Sequence, residues 1–147
     1  MSGAAHADHP IVGTWRLVGY WTQYEGEDRI HPLGTDAVGY ILYTPEGFMS
    51  GTMQRRPAQP FAVADRLRAT ADEKVRAFDD YVTYCGRWQP DGDDLLHAIE
   101  ISLLPNWNGD RQRRHAKWHG RDRVDLVAHW DVQGRRRTAV VEWERAA

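Results

Sequence analysis

Ile11-Val12-Gly13-Thr14-Trp15-Arg16-Leu17-Val18-Gly19-Tyr20-Trp21-Thr22-Gln23-Tyr24 is the stretch that decides the fold. Within it Trp15, Leu17, Gly19 and Trp21 alternate with Thr14, Arg16, Val18 and Tyr20, and a period of two is the period of a β-strand. Both faces are partly apolar, as expected where the outer face is covered near one end. Gly13-Thr14-Trp15 heads this run, and seven more strand-like segments follow it. Together they read as a small closed antiparallel barrel, the kind of sheet that encloses one small molecule.

Working outward, 38–43 and 48–54 form a hairpin about Thr44-Pro45-Glu46-Gly47, where Pro presets φ and Gly permits a positive value. Residues 55–69 contain Pro57 and Pro60 without a sustained period and read as an irregular excursion. Thr70-Ala71-Asp72-Glu73 has the spacing of a capping box, and Val75, Phe78 and Val82 recur at helical spacing through about Thr83. Strands follow over 84–89, 94–104, 111–119, 123–131 and 136–145. The expected fold is all-β: an eight-stranded antiparallel up-and-down barrel with one short α-helix. Residues 1–10, small and polar, are expected to be a disordered segment ahead of a single domain over 11–147.

A chain of 147 residues fits one domain that buries roughly 68–70% of its unfolded surface. A formal charge of −2 gives no field to draw nucleic acid or an anionic membrane. No run approaches the ~20 apolar residues of a spanning helix, and the N-terminus lacks the pattern of a signal peptide. A single cysteine, Cys85, forms no internal disulfide, so a cytoplasmic location is expected. Seven Trp, six Tyr and three Phe are more flat side chains than a core this size requires, which puts some of them on a cavity wall.

Gly13-Thr14-Trp15-Arg16-Leu17, the hairpin Gly39-Tyr40-Ile41-Leu42-Tyr43-Thr44-Pro45-Glu46-Gly47-Phe48-Met49-Ser50, and Glu100-x-Ser102-Leu103-x-Pro105-Asn106-Trp107-x-Gly109 form a set with Gln112-x-Arg114 and Val141-x-Trp143-Glu144-Arg145. With these motifs the chain resembles the bacterial and fungal lipocalin-like domain family, over nearly all of its length after residue 10. The resemblance implies a short single-domain lipocalin-like barrel; members share no single activity, so fold alone does not give function. Ala98 stands where members often carry a second His after His97, and Glu142 where they are usually apolar.

In the strand over 111–119, Arg111, Arg113, His115 and Lys117 share one face, and Gln112, Arg114, Ala116 and Trp118 the other. Burying four adjacent cations costs far more than burying one, so the second face points inward and Arg114 becomes an interior cation needing an acceptor. A hairpin centred on Trp107 sets Glu100 opposite Arg114 and Ser102 opposite Gln112, within reach of a charge-assisted pair. A shift of one residue instead turns His97, Ile99, Ile101 and Leu103 inward. The polar positions of the family resemblance share the parity of the first arrangement. Glu100 and Arg114 then serve either as a structural pair or as the group that orients a guest.

Trp15 is expected to plug the closed end. Tyr43, Met49, Trp88, Trp130 and Trp143 either face the cavity or fill it, and Trp107 is a packed turn or a gate. His115 and His119 would stand about 13 Å apart on a strand, too far to share an ion. His129 alone offers a haem ligand with nothing to corroborate it. No metal and no cofactor are implied.

Three functions compete at this level. In the leading one, the barrel binds a small hydrophobic molecule, aromatic or polycyclic. Glu100, Ser102, Gln112 and Arg114 meet its polar part, and the segment 55–83 covers one end. In the second, it is a cofactor-independent cyclase, isomerase or dehydratase of secondary metabolism. There Glu100 moves a proton and Arg114 polarises a carbonyl of a natural-product intermediate. In the third, the barrel is solid, and exposed Val18, Tyr20 and Tyr40 form a homodimer face.

Overall fold

Alternation along the chain resolves into eight strands in a computed structural model that describes residues 6–147. They are β1 (Gly13–Tyr24), β2 (Val38–Tyr43), β3 (Phe48–Gln54), β4 (Tyr81–Asp91), β5 (Asp94–Ser102), β6 (Arg111–Trp118), β7 (Arg123–Val132) and β8 (Arg135–Arg145). Each pairs antiparallel with the next, and β8 returns to β1, which closes the barrel and leaves no sheet edge. Among the described residues no helix is long and apolar enough to cross a membrane.

Two bulges decide which side chains face the lumen. In β1 the register against β8 slips between Leu17 and Gly19. Trp15 and Leu17 are buried inside, and beyond the extra residue Val18 the inward positions pass to Tyr20 and Thr22. Tyr20, expected on an outer face with Val18 and Tyr40, therefore lies on the cavity wall. The second slip falls between Cys85 and Gly86 of β4, opposite Ile99 and Ile101 of β5. Leu95, His97 and Ile99 are buried, Glu100 and Ile101 both turn outward, and pairing resumes with Ile101 opposite Cys85 and Ser102 opposite Tyr84.

The β5–β6 hairpin is not centred on Trp107. His97 pairs with Gln112 and Leu95 with Arg114, and the ladder ends at Ala98 and Arg111, beyond which the Ile99 N–H donates to the Asp110 carbonyl at 2.9 Å. Residues 103–110 leave the sheet through a 3-10 turn at Pro105–Trp107, because Pro105 has no N–H to offer a ladder. Glu100 is consequently not opposite Arg114, and the expected pair does not form. The one-residue shift is not the observed pairing either, but the inward face it names is realised for His97 and Ile99 and lost at Ile101, which is 67% exposed.

One end is sealed. Trp15 is fully buried, and its Nε1 donates to the Ile11 carbonyl at 2.8 Å. The Arg145 guanidinium lies 4.4 Å from the Trp15 ring centroid and donates to the carbonyls of Pro10, Val12 and Arg121. The Thr14 N–H donates to the Ala147 carbonyl at 3.1 Å, tying the C-terminal residues to the same pole. The disordered segment expected over residues 1–10 falls partly outside the described residues. In the described part, 6–10, the chain departs from that expectation: the His6 N–H donates to the Pro45 carbonyl, and the His6 and His9 rings pack on Trp88.

At the other end lies α1 (Ala71–Asp79), opened by the Thr70 and Glu73 capping box that its sequence announces. The helical spacing runs on to Thr83, yet the helix stops at Asp80, which Arg55 holds through a 3.0 Å ion pair and a 2.8 Å backbone bond. Tyr81, Val82 and Thr83 are taken instead by the ladder with β3, opposite Gln54, Met53 and Thr52.

Candidate functional site

Above the sealed core, inward side chains from all eight strands surround a cavity of about 120 Å³. An apolar cavity of roughly 150 Å³ accommodates benzene, so this space suits about one aromatic ring. Its wall is mainly apolar, with Ile41, Met53, Val82, Leu126, Ala128 and Val141 prominent. Trp107, Arg114, Ala128 and Trp130 also border a wider vestibule of about 480 Å³, which adds Asp110, Gln112 and His129. A larger guest would extend from the one into the other.

His97 organises the polar side of this wall. It is 1% exposed; its Nε2 lies 2.8 Å from the Tyr43 hydroxyl and its Nδ1 2.8 Å from that of Tyr84. Burial, with a smaller contribution from the positive charge of Arg114, lowers its pKa to about 3, so the ring is neutral and carries one N–H. Tyr43 is 2% exposed and has no other hydrogen-bond partner for its hydroxyl among the described residues. Burial raises its pKa well above the ordinary value, so it keeps its proton, and only Nε2 can accept it. Nδ1 then holds the ring proton and donates to Tyr84, whose own O–H is left facing the cavity it lines. Nitrogen-15 spectra of the His97 side chain are expected to show an Nδ1–H tautomer from pH 5 to 8; an Nε2–H tautomer would reverse the direction of the relay.

Arg114 is half-buried on the same wall. It donates to Gln112 Oε1 at 2.5 Å and to the Arg113 carbonyl at 3.1 Å, and it has no carboxylate partner among the described residues. Glu100 sits on the outer surface 3.5 Å from Arg87, with both side chains more than half exposed. The bulge that turns Glu100 out thus removes it from the site. Ser102 pairs opposite Tyr84 but does not line the cavity, and it commits its hydroxyl to the Leu104 carbonyl at 2.6 Å. Gln112 borders the vestibule.

Of the aromatic candidates, Trp143 lines the cavity, and its Nε1 is buried without a partner. Trp107 and Trp130 stand where cavity and vestibule meet; Trp107 meets Tyr84 edge-on at 5.8 Å and Trp130 is 41% exposed. Met49, Trp88 and Tyr43 belong to the core beneath the cavity rather than to its lining. Trp88 donates to the Thr44 carbonyl at 3.0 Å, and Tyr43 acts through His97. His129 is exposed and bonded to Thr138, while His115 and His119 pair outside with Asp94 and Asp125. No group of three or more His, Cys, Asp or Glu among the described residues is placed to hold a metal.

Sequence reasoning underrated His97, Tyr84 and Tyr20. The alternation Leu95, His97, Ile99 was a visible signal for the first. Tyr20 lies just past a bulge, where strict alternation gives the wrong face; Tyr84 follows the unbroken alternation of β4, on the side of Trp88, because the extra residue of the second bulge, Glu100, belongs to β5.

The family model described as Lipocalin-like domain matches residues 12–146. Among solved structures, a de novo designed fluorescence-activating beta barrel is similar at 12% identity over 99% of each chain, with a TM-score of 0.42. A search of curated proteins finds no match.

Proposed function

The chain belongs to the lipocalin-like domain family, and from that premise we propose that it binds a small, largely apolar aromatic molecule inside the barrel. The observation that carries this reading is the cavity itself: about 120 Å³ of mainly apolar space, sealed at one pole by Trp15 and Arg145 and continued at the other by the vestibule. Sites of this kind pair apolar walls with a few polar groups that orient the guest. Polycyclic guests would span both spaces, with Trp107 and Trp130 against their flat faces.

Binding is better supported than cyclase, isomerase or dehydratase chemistry. Among the described residues no carboxylate lines the inner cavity, and a His97 held near pKa 3 is a weak base at neutral pH. Ala128 and Ala139 face each other across β7 and β8 on the cavity wall. Ala139→Phe is expected to fill the space and weaken uptake of the neutral dye N-phenyl-1-naphthylamine at least about ten-fold, with the far-UV spectrum unchanged. Absence of saturable uptake by the unmodified protein would rule the binding reading out.

A further inference from the structure

The polar groups on the cavity wall are unbalanced. Arg114 has five N–H groups, and Gln112 and the Arg113 carbonyl engage only two of its nitrogens. Trp143 Nε1–H is buried in a residue 3% exposed and has no acceptor. Tyr84 presents a free O–H, because its oxygen already receives the His97 proton. Nearer the mouth Arg137 stacks at 5.4 Å on Trp130, and its Nε is also buried without a partner.

Acceptors to match these donors are missing. Among the described residues neither Asp nor Glu lines the inner cavity, and the Thr52 hydroxyl is spent on Thr83 at 3.1 Å. Asp110 is the one carboxylate among them that borders the vestibule. A purely hydrocarbon guest would strip water from Arg114 and return nothing, and unpaired buried donors are costly. An acceptor with negative charge satisfies Arg114 and is drawn by the unmatched cation.

We propose that the guest is a small aromatic acid, its ring in the cavity and its carboxylate taken by Arg114, with the Tyr84 O–H as a neutral donor on the same wall. This rests on the cavity being the binding site, and the two ideas separate experimentally. Fluorine NMR titration with 4-fluorobenzoate and 4-fluorotoluene compares probes of one ring each that differ in a carboxylate against a methyl group. The acid is expected to bind at least about ten-fold more tightly. Arg114→Met abolishes that preference, and a far-UV spectrum and thermal midpoint matching the parent's show that the variant is folded. Arg114→Lys retains the charge and keeps a preference for the acid. Equal binding of the two probes by the unmodified protein, or an acid preference that survives Arg114→Met, overturns the assignment and leaves the cavity reading standing. So does a loss of preference in Arg114→Lys as complete as in Arg114→Met. If neither probe binds, the cavity reading falls and this inference with it.

Discussion

Lowering the pH from 7 to 4 is expected to take about 3 kcal/mol from the stability of the barrel through His97 alone. In the unfolded chain this imidazole has its ordinary value of 6.5, and in the folded barrel burial holds it near 3. Above 6.5 both states are neutral and the full stability is present. Between 6.5 and about 3 the unfolded chain takes up a proton that the barrel refuses. The unfolded state then binds more protons, and stability falls with falling pH. His97→Gln keeps a donor and an acceptor for Tyr43 and Tyr84 but does not titrate. Urea unfolding at both pH values should show the variant losing about 3 kcal/mol less than the parent. His9 and His129, also lowered mainly by burial, act in the same direction but are only partly buried, and they remain in both proteins. An equal acid loss in the two would mean that His97 is not the buried neutral group described.

Gly86→Ala is expected to destabilise the barrel by about 3 kcal/mol, or to prevent folding. A Cβ at this position would meet the Ala98 carbonyl oxygen at 2.1 Å and the Glu100 nitrogen at 2.9 Å. Both are backbone atoms of the bulged partner strand, and neither can swing aside as a side-chain tip can. Relief requires β4 and β5 to part at the point where the inward sequence passes from Ile99 to Ser102. Thermal unfolding measures the loss, expected to lower the midpoint by about 10 °C for a chain of this size. Gly92→Ala is a useful contrast: its Cβ would meet nothing within 4 Å, and its φ of 62° adds only local strain. A Gly86→Ala midpoint no lower than that of Gly92→Ala would mean that the close approach at the bulge is relieved cheaply.

What could be read from the sequence was local. The strand period in 13–24, the Pro45 and Gly47 turn and the Thr70 capping box each depend on neighbours in the chain, and each appears in the structure. The inward position of Arg114 follows from the cost of burying its alternatives. What stayed hidden were events decided by another strand. The extra residue at Val18 exchanges the faces of the second half of β1. The outward pair Glu100 and Ile101 is stabilised only because Gly86, far off in sequence, has no side chain in the way. A carboxylate with the right spacing was therefore given to the lumen, while the Tyr43, His97 and Tyr84 relay went unrecognised. Its members come from β2, β5 and β4, and no sequence spacing connects them.

The bond between Thr14 and Ala147 has a practical corollary. A fluorophore, affinity handle or solid support coupled beyond Ala147 hangs from the plugged pole, on the far side of the molecule from Trp107 and Trp130. Captured that way, the protein turns the vestibule to the surrounding solution, where a support leaves it uncovered.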